Sequence, residues 1–340
     1  MKDEYRKLFD TPVDRRGTHS LKWDVRDNEL PMWVADMDFK TAPAIIEALQ
    51  KRVEHGVFGY SIIPDEWNEA YCEWWENRHH FHIEKDWLIF STGVVPILSS
   101  VVRKLTTPGE NVLIQTPVYN IFFNSIVNNG RNVLQCPLSY ENGEYSIDFD
   151  KLEEAMAQPQ TTMMIFCNPH NPVGKIWDRE TIAHVGELAK KYHVIVVSDE
   201  IHCDITDPDK EYIPFASASD TCREISITCV APTKAFNMAG LQTAAAIVPD
   251  PFLRHKGNRG LNAFAIWAAV AAFRNGGEWL DALREYIYEN KQIVTGFIEK
   301  ELPQVKLIYS EATYLLWLDC SAVCDNSEEL ADSIRERTGL

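Results

Sequence analysis

The sequence predicts an α/β protein built on a mostly parallel sheet with helices on both faces. Three observations carry this. The apolar runs Met163-Met-Ile-Phe166, Val194-Ile-Val-Val197 and Ile225-Ser-Ile-Thr228 begin at intervals of 31 residues, the spacing of strand–helix–strand units with right-handed crossovers. Between two of them, Arg179 to Tyr192 alternates as an amphipathic helix. Short apolar runs alternating with helical patterns in this way indicate a mostly parallel sheet covered by helices on both faces.

Further elements follow in order. Thr41-Ala-Pro-Ala-Ile-Ile-Glu-Ala-Leu starts a helix with Thr41 as cap and a proline in the first turn. Trp67, Tyr71, Trp74 and Trp75 fall at helical spacing and read as core or interface packing. Pro96 to Lys104 is a helix after Gly93-Val-Val, and Asn111 to Gln115 and Asn132 to Gln135 are strands. Ala244 to Val248 is another strand, followed by helices over Ala263–Phe273 and Trp279–Leu302 separated by Asn275-Gly-Gly. Ala312 to Asp319 reads as a strand and Ser327 to Arg337 as a helix. The glycine pair places a domain change near 276–277, giving a large domain over 45–276 and a smaller α+β domain from 1–44 with 277–340.

Composition limits the function. Of 340 residues, 45% are hydrophobic and 24% charged, ordinary for a globular chain. A formal charge of −17 argues against nucleic acid or an anionic membrane as partner. The polar start carries no signal-peptide core, no stretch has transmembrane length, and the eight scattered cysteines read as reduced thiols. The expectation is a cytoplasmic protein.

The strand ends carry the chemistry, because open α/β sheets bind ligands beyond their carboxyl edges. Asn111–Gln115 runs into Tyr119; Met163–Phe166 into Asn168-Pro-His-Asn171-Pro-Val-Gly174; Val194–Val197 into Asp199 and His202; Ile225–Thr228 into Thr233-Lys234. A lysine after a buried strand is costly as packing, and a desolvated lysine is a nucleophile suited to a Schiff base. A carboxylate, an amide and an aromatic ring beside it match the needs of a pyridine cofactor. Ser91-Thr-Gly-Val-Val-Pro96 leads into a helix whose N-terminus attracts an anion. No GxGxxG or GxxxxGK[ST] is present, against a dinucleotide site or P-loop. Taken singly, each piece has another reading: Lys234 a snorkelling side chain, Asp199 a helix cap, Tyr119 a core ring, Asn171-Pro a turn. His79-His80-Phe81-His82 reads as a solvated helix end rather than a metal site, and no metal is expected. Gly260-Leu-Asn262-Ala-Phe264 is a candidate wall on the substrate side, without an assigned role.

Asn-Pro-x-Asn-Pro-x-Gly (168–174), Ser-Asp-Glu-Ile-His (198–202) and Thr-Lys-Ala-Phe-Asn-x-Ala-Gly-Leu (233–241) resemble the fold type I pyridoxal 5′-phosphate (PLP) enzymes of the aminotransferase class I/II superfamily. Leu30-Pro-Met-Trp-Val-Ala-Asp-Met-Asp-Phe39 and Gly93-Val-Val look more narrowly like its MalY/PatB cystathionine β-lyase branch. The resemblance implies a PLP-dependent transferase-like fold and a carbon–sulfur β-lyase acting on a small amino-acid substrate, with an aminotransferase as the alternative. It implies that Lys234 forms the Schiff base and shuttles the proton, and that Asp199 pairs with the pyridinium nitrogen. Asn171 and His202 then lie near the phenolic oxygen and Tyr119 stacks on the ring. Val94, Val95 and Thr233 hold the phosphate, and Tyr60 reaches the site of a neighbouring subunit in a homodimer. Ala231 and Gln242 stand where a phosphate-binding serine and arginine are common. No residue matches the arginine that grips the substrate carboxylate near the family's C-terminus. The expectation is therefore a truncated chain that still forms the Lys234 adduct, with a catalytically silent, cofactor-holding protein as a further alternative.

Overall fold

The computed structural model describes residues 2–254 and 263–340. In chain order the helices are α1 (Lys2–Phe9), α2 (Pro43–His55), α3 (Asp65–His79), α4 (Val94–Leu105), α5 (Ile121–Val127), α6 (Phe149–Met156), α7 (Arg179–Lys191), α8 (Asp220–Ile225), α9 (Pro251–Arg254), α10 (Ala263–Asn275), α11 (Gly277–Glu301) and α12 (Ser327–Thr338). The strands are β1 (Leu88–Ser91), β2 (Asn111–Ile114), β3 (Asn132–Gln135), β4 (Ser139–Glu141), β5 (Glu144–Ser146), β6 (Thr161–Cys167), β7 (Ile195–Asp199), β8 (Ser226–Val230), β9 (Ala244–Ile247), β10 (Lys306–Leu307) and β11 (Leu318–Asp319).

Seven strands form one sheet in the order β1-β9-β8-β7-β6-β2-β3. β3, β2, β6, β7 and β8 run parallel, and β9 runs against both its neighbours. The pleat sends alternate side chains to opposite faces, and both faces are dry. Val112, Ile114, Met163, Ile165, Ile227 and Cys229 meet Val94, Leu98, Val102, Phe122 and Ile126 of α4 and α5. On the other face, Leu113, Met164, Phe166 and Val196 pack on α6, α7 and α8. Phe90, Ala245 and Ile247 pack on α3 and α10. The aromatic series of α3 is core: Trp67, Tyr71, Trp74 and Trp75 are all buried, with Tyr71 and Trp75 against Phe273. Among the described residues no helix is long and apolar enough to cross a membrane.

Several expectations need correction. Thr41 does not cap α2; its hydroxyl donates to the Phe236 carbonyl (2.6 Å), and the cap position is Ala42, without a side-chain hydrogen bond. The proposed strand over 312–319 survives only as β11, paired with β10. Ala312 makes an isolated bridge to Thr206, and Thr313 has φ of 67°, which interrupts an extended run. β1 lay hidden in Trp87-Leu-Ile-Phe-Ser, too short to stand out. The hairpin β4–β5 turns at Asn142-Gly143, both at positive φ, the standard two-residue hairpin pair. Gly260 and Asn262 lie outside the described residues.

Candidate active site

Parallel pairing sets the site. Asp199 ends β7, flanked in register by Cys167 of β6 and Cys229 of β8. The turn after β6 begins at Asn168, whose amide donates to the Asp199 carbonyl (2.9 Å). The turn after β8 carries Thr233 and Lys234, and is closed by bonds from Phe236 N to Pro232 O and from Met238 N to Thr233 O (both 2.9 Å). Neighbouring parallel strands therefore deliver an amide-bearing loop, a carboxylate and a lysine to one rim.

The electrostatics of the site are set first by burial. Asp199 is 4% exposed, and its Oδ1 accepts one backbone hydrogen bond, from Ile201 N (3.2 Å). Burial pushes its carboxyl up to about 6, against the Ile201 amide and the Lys234 charge, which favour ionisation. Lys234 is itself held below the ordinary lysine value by burial, opposed by Asp36 and Asp199. Its Nζ donates to the Ala35 carbonyl (2.5 Å). His202 is buried, its Nδ1 has no partner among the described residues, and burial followed by the Lys234 charge presses it down to about 3. It is thus a neutral imidazole at ordinary pH. The Tyr119 hydroxyl is raised by burial and then by the Asp199 charge.

Other expected residues fall into place unevenly. Val94 and Val95 open α4 after Gly93, with no side-chain cap on the first turn, so its N–H groups are open to an anion. Thr233 is buried beside Lys234. Asn171 is half-buried, and its amide donates to Cys167 Sγ (3.3 Å). Tyr60 is the exception: it is fully exposed, in the segment between α2 and α3. Gln242 follows a short turn over 239–241 with φ of 54°, and Ala231 is buried.

Sequence reasoning missed a second layer. Glu200 is fully buried behind Asp199, accepting from Ser198 Oγ (2.7 Å), Phe215 N (2.9 Å) and the Tyr212 hydroxyl. Burial pushes it up to about 7, against those donors. The segment 34–39 forms a strap across the lysine. Arg15 grips Asp36 through both nitrogens (2.9 and 2.8 Å) and Asp38 (2.7 Å), and Lys22 adds a bond to Asp38 (2.8 Å). From the lysine's own loop, Asn237 donates to the Met37 and Phe39 carbonyls and accepts from Met37 N. The Tyr314 hydroxyl donates to the same Ala35 carbonyl (2.8 Å). The repeated aspartates of Val34-Ala-Asp-Met-Asp-Phe39 were the visible signal, without a partner to interpret them.

The histidine run is also corrected. His80 and His82 are exposed, but His79 turns inward and meets Asp204 (2.9 Å). His79, Cys203 and Asp204 have ligating atoms within 4.8 Å of one another. Asp204 already accepts from Trp74 Nε1 (3.1 Å) and lies 3.5 Å from Arg78 Nε. That setting suits a buried His–Asp pair better than a dication.

Comparison with known proteins agrees with this geometry. A model of the family "Aminotransferase class I and II" matches residues 30–340. Cystathionine beta-lyase PatB of Bacillus subtilis is 45% identical over 336 residues, covering 95% of this chain and 87% of that protein. Cystalysin from Treponema denticola, whose crystal structure contains pyridoxal 5′-phosphate, superposes with a TM-score of 0.93 at 33% identity, over 96% of this chain and 87% of that one. The PLP-bound C-S lyase from Staphylococcus hominis gives 0.91 at 33% identity, over 97% and 88%.

Proposed function

The chain belongs to the aminotransferase class I and II family, and from its 45% identity to a cystathionine β-lyase of that family we infer that it is a PLP-dependent carbon–sulfur β-lyase. Its substrates are cystathionine or related cysteine conjugates, and its products a thiol, pyruvate and ammonia. The observation that carries the reading is a half-buried lysine and a buried carboxylate on adjacent strand ends, in a chain 45% identical to a cystathionine β-lyase.

The residues present fit the cofactor. Asp199 lacks a cationic partner of the kind a protonated pyridine nitrogen offers, His202 Nδ1 is orphaned, and α4 presents an uncapped N-terminus to a phosphate. When bound, PLP supplies an electron sink for the carbanion at the substrate Cα. Lys234 would hold the cofactor covalently, and its amine would be the base placed to take the substrate Cα proton. Asp199 keeps the ring nitrogen protonated, Tyr119 covers the ring face, and Asn171 and neutral His202 sit by the phenolic oxygen. Val94 and Val95 N–H groups and the Thr233 hydroxyl hold the phosphate.

Tyr60 reaches the phosphate of a second copy in a homodimer. Supporting this, Met32, Trp33, Val57, Phe58, Tyr60 and Ile62 expose apolar surface on neighbouring segments. The chain further divides into a large domain over 45–276 and a smaller one from 1–44 with 277–340. Phe9 against Trp279 and Tyr286, and Leu30 N on the Gly339 carbonyl (2.7 Å), support that pairing of the two ends.

Transamination is the second reading, favoured by the family's own description. The test is incubation of the PLP-loaded protein with cystathionine, following free thiol and pyruvate. Equal release of both, abolished in Lys234→Ala, is expected. Transfer of the amino group to an added oxo acid without thiol release would replace the lyase by an aminotransferase. A protein that stays colourless with added PLP would remove both.

A further inference from the structure

One carbonyl oxygen, that of Ala35, takes two donors: Lys234 Nζ at 2.5 Å and the Tyr314 hydroxyl at 2.8 Å. A carbonyl has two lone pairs and can satisfy both at once. The three groups come from distant parts of the chain, the N-terminal strap, the turn after β8 and the segment before β11, and meet at this atom. The strap does not move freely, because Arg15 and Lys22 fasten Asp36 and Asp38, and Asn237 fastens Met37 and Phe39. Tyr314 is partly buried, and its ring stands edge-on to His202 at 6.1 Å.

We propose that Tyr314 is a positioning residue for Lys234: its hydroxyl shares the Ala35 carbonyl with the lysine amine and sets how strongly that carbonyl holds it. This rests on the reading of Lys234 as the cofactor-bearing lysine. A donor already on the carbonyl draws off part of its electron density, which weakens its grip on an ammonium. That favours the neutral, nucleophilic amine. The other groups facing the lysine are Asp36 on the strap and Asp199 and His202 at the end of β7. The two carboxylates favour the ammonium, so Tyr314 and burial act against them. Tyr314 touches neither substrate nor cofactor in this account; it acts through Lys234.

The experiment uses the full chain, stripped of PLP and reloaded, with the rate of PLP capture read from visible absorbance across a pH series. Only the neutral amine adds to the aldehyde, so the midpoint of the profile reports the lysine. In Tyr314→Phe the midpoint moves up; a rise of one pH unit slows capture at neutral pH about tenfold. With 3-fluorotyrosine placed at 314, a stronger donor, the midpoint moves down. Tyr309→Phe, an exposed tyrosine nearby in sequence, leaves it unchanged. An unmoved midpoint in Tyr314→Phe with a native-like melting curve overturns the proposal. Should that variant fail to fold, an unmoved or raised midpoint with fluorotyrosine overturns it equally. Borohydride reduction and peptide mapping identify the loaded lysine separately: label on a lysine other than Lys234 sinks the functional reading, whatever Tyr314 does.

Discussion

Asp199 illustrates how a residue that costs stability alone becomes useful when its partner arrives. Its carboxyl sits near 6 in this protein against an ordinary 3.8. Between those values the folded chain retains a proton that the unfolded chain has released, so stability falls as pH rises through the window. The contribution is complete below about pH 4 and lost above about pH 6, a difference of roughly 3 kcal/mol. In the cofactor-free protein, Asp199→Asn is therefore expected to be more stable than wild type at pH 8, and the advantage shrinks toward pH 4. Comparing the two proteins cancels Glu200, also raised, and His170 and His202, both lowered, which titrate nearby. Urea melts at several pH values check this; a pH-independent difference counts against a buried, unpaired carboxyl. On the proposed pairing of Asp199 with the pyridinium nitrogen, the order is expected to reverse once PLP is bound.

At the scale of elements, the loop after β6 shows why a motif needs its glycine. Gly174 has φ of 70°, and a Cβ there would lie 2.1 Å from Ser310 Oγ and 2.7 Å from the Ala312 carbonyl. Its own carbonyl accepts from Glu311 N (2.9 Å) and Ala312 N (3.1 Å). The loop carrying Asn171 is thereby tied to the segment carrying Tyr314. Gly174→Ala is expected to cost about 2–4 kcal/mol, from backbone strain plus the forced retreat of the 310–312 segment. Denaturant unfolding measures it, and a cost below about 1 kcal/mol would mean that the segment yields easily. The long, doubly buried strands β6, β7 and β8 were legible from apolar runs at regular spacing. The segment 312–319 was not, because its apolar pattern serves a bend at Thr313 and contacts from a single bridge, which mimic a strand in sequence. Thr41 resembled a cap for the same reason: the residue type fits, but the Phe236 carbonyl was a better partner than the helix.

For the molecule as a whole, the proposed homodimer has a direct test. Sedimentation should find two chains per particle, and Tyr60→Phe should weaken PLP retention roughly tenfold, as expected for one lost phosphate hydrogen bond of about 1.5 kcal/mol. A monomer that retains PLP normally would leave Tyr60 without a role.

The linear order of residues was sufficient for the sheet's parallel core, the family and the cofactor, and it singled out Lys234, Asp199, Asn171 and Tyr119 as the set proposed to hold that cofactor. Strand periodicity and motifs at strand ends are local, and parallel sheets bring those ends to one rim. Only the tertiary structure decided what surrounds that set. The strap at 34–39, its clamps Arg15 and Asn237, buried Glu200 and the Tyr314 hydroxyl come from segments far apart in the chain; Tyr314 and Ala35, joined by one hydrogen bond, are 279 positions apart. Their roles depend on which carbonyl or carboxylate each meets, and burial, as the largest cause, turns ordinary Asp199, His202 and Lys234 side chains into groups with shifted proton affinities. Such meetings and such burial are properties of the packed chain, with no counterpart in the spacing of residues along it.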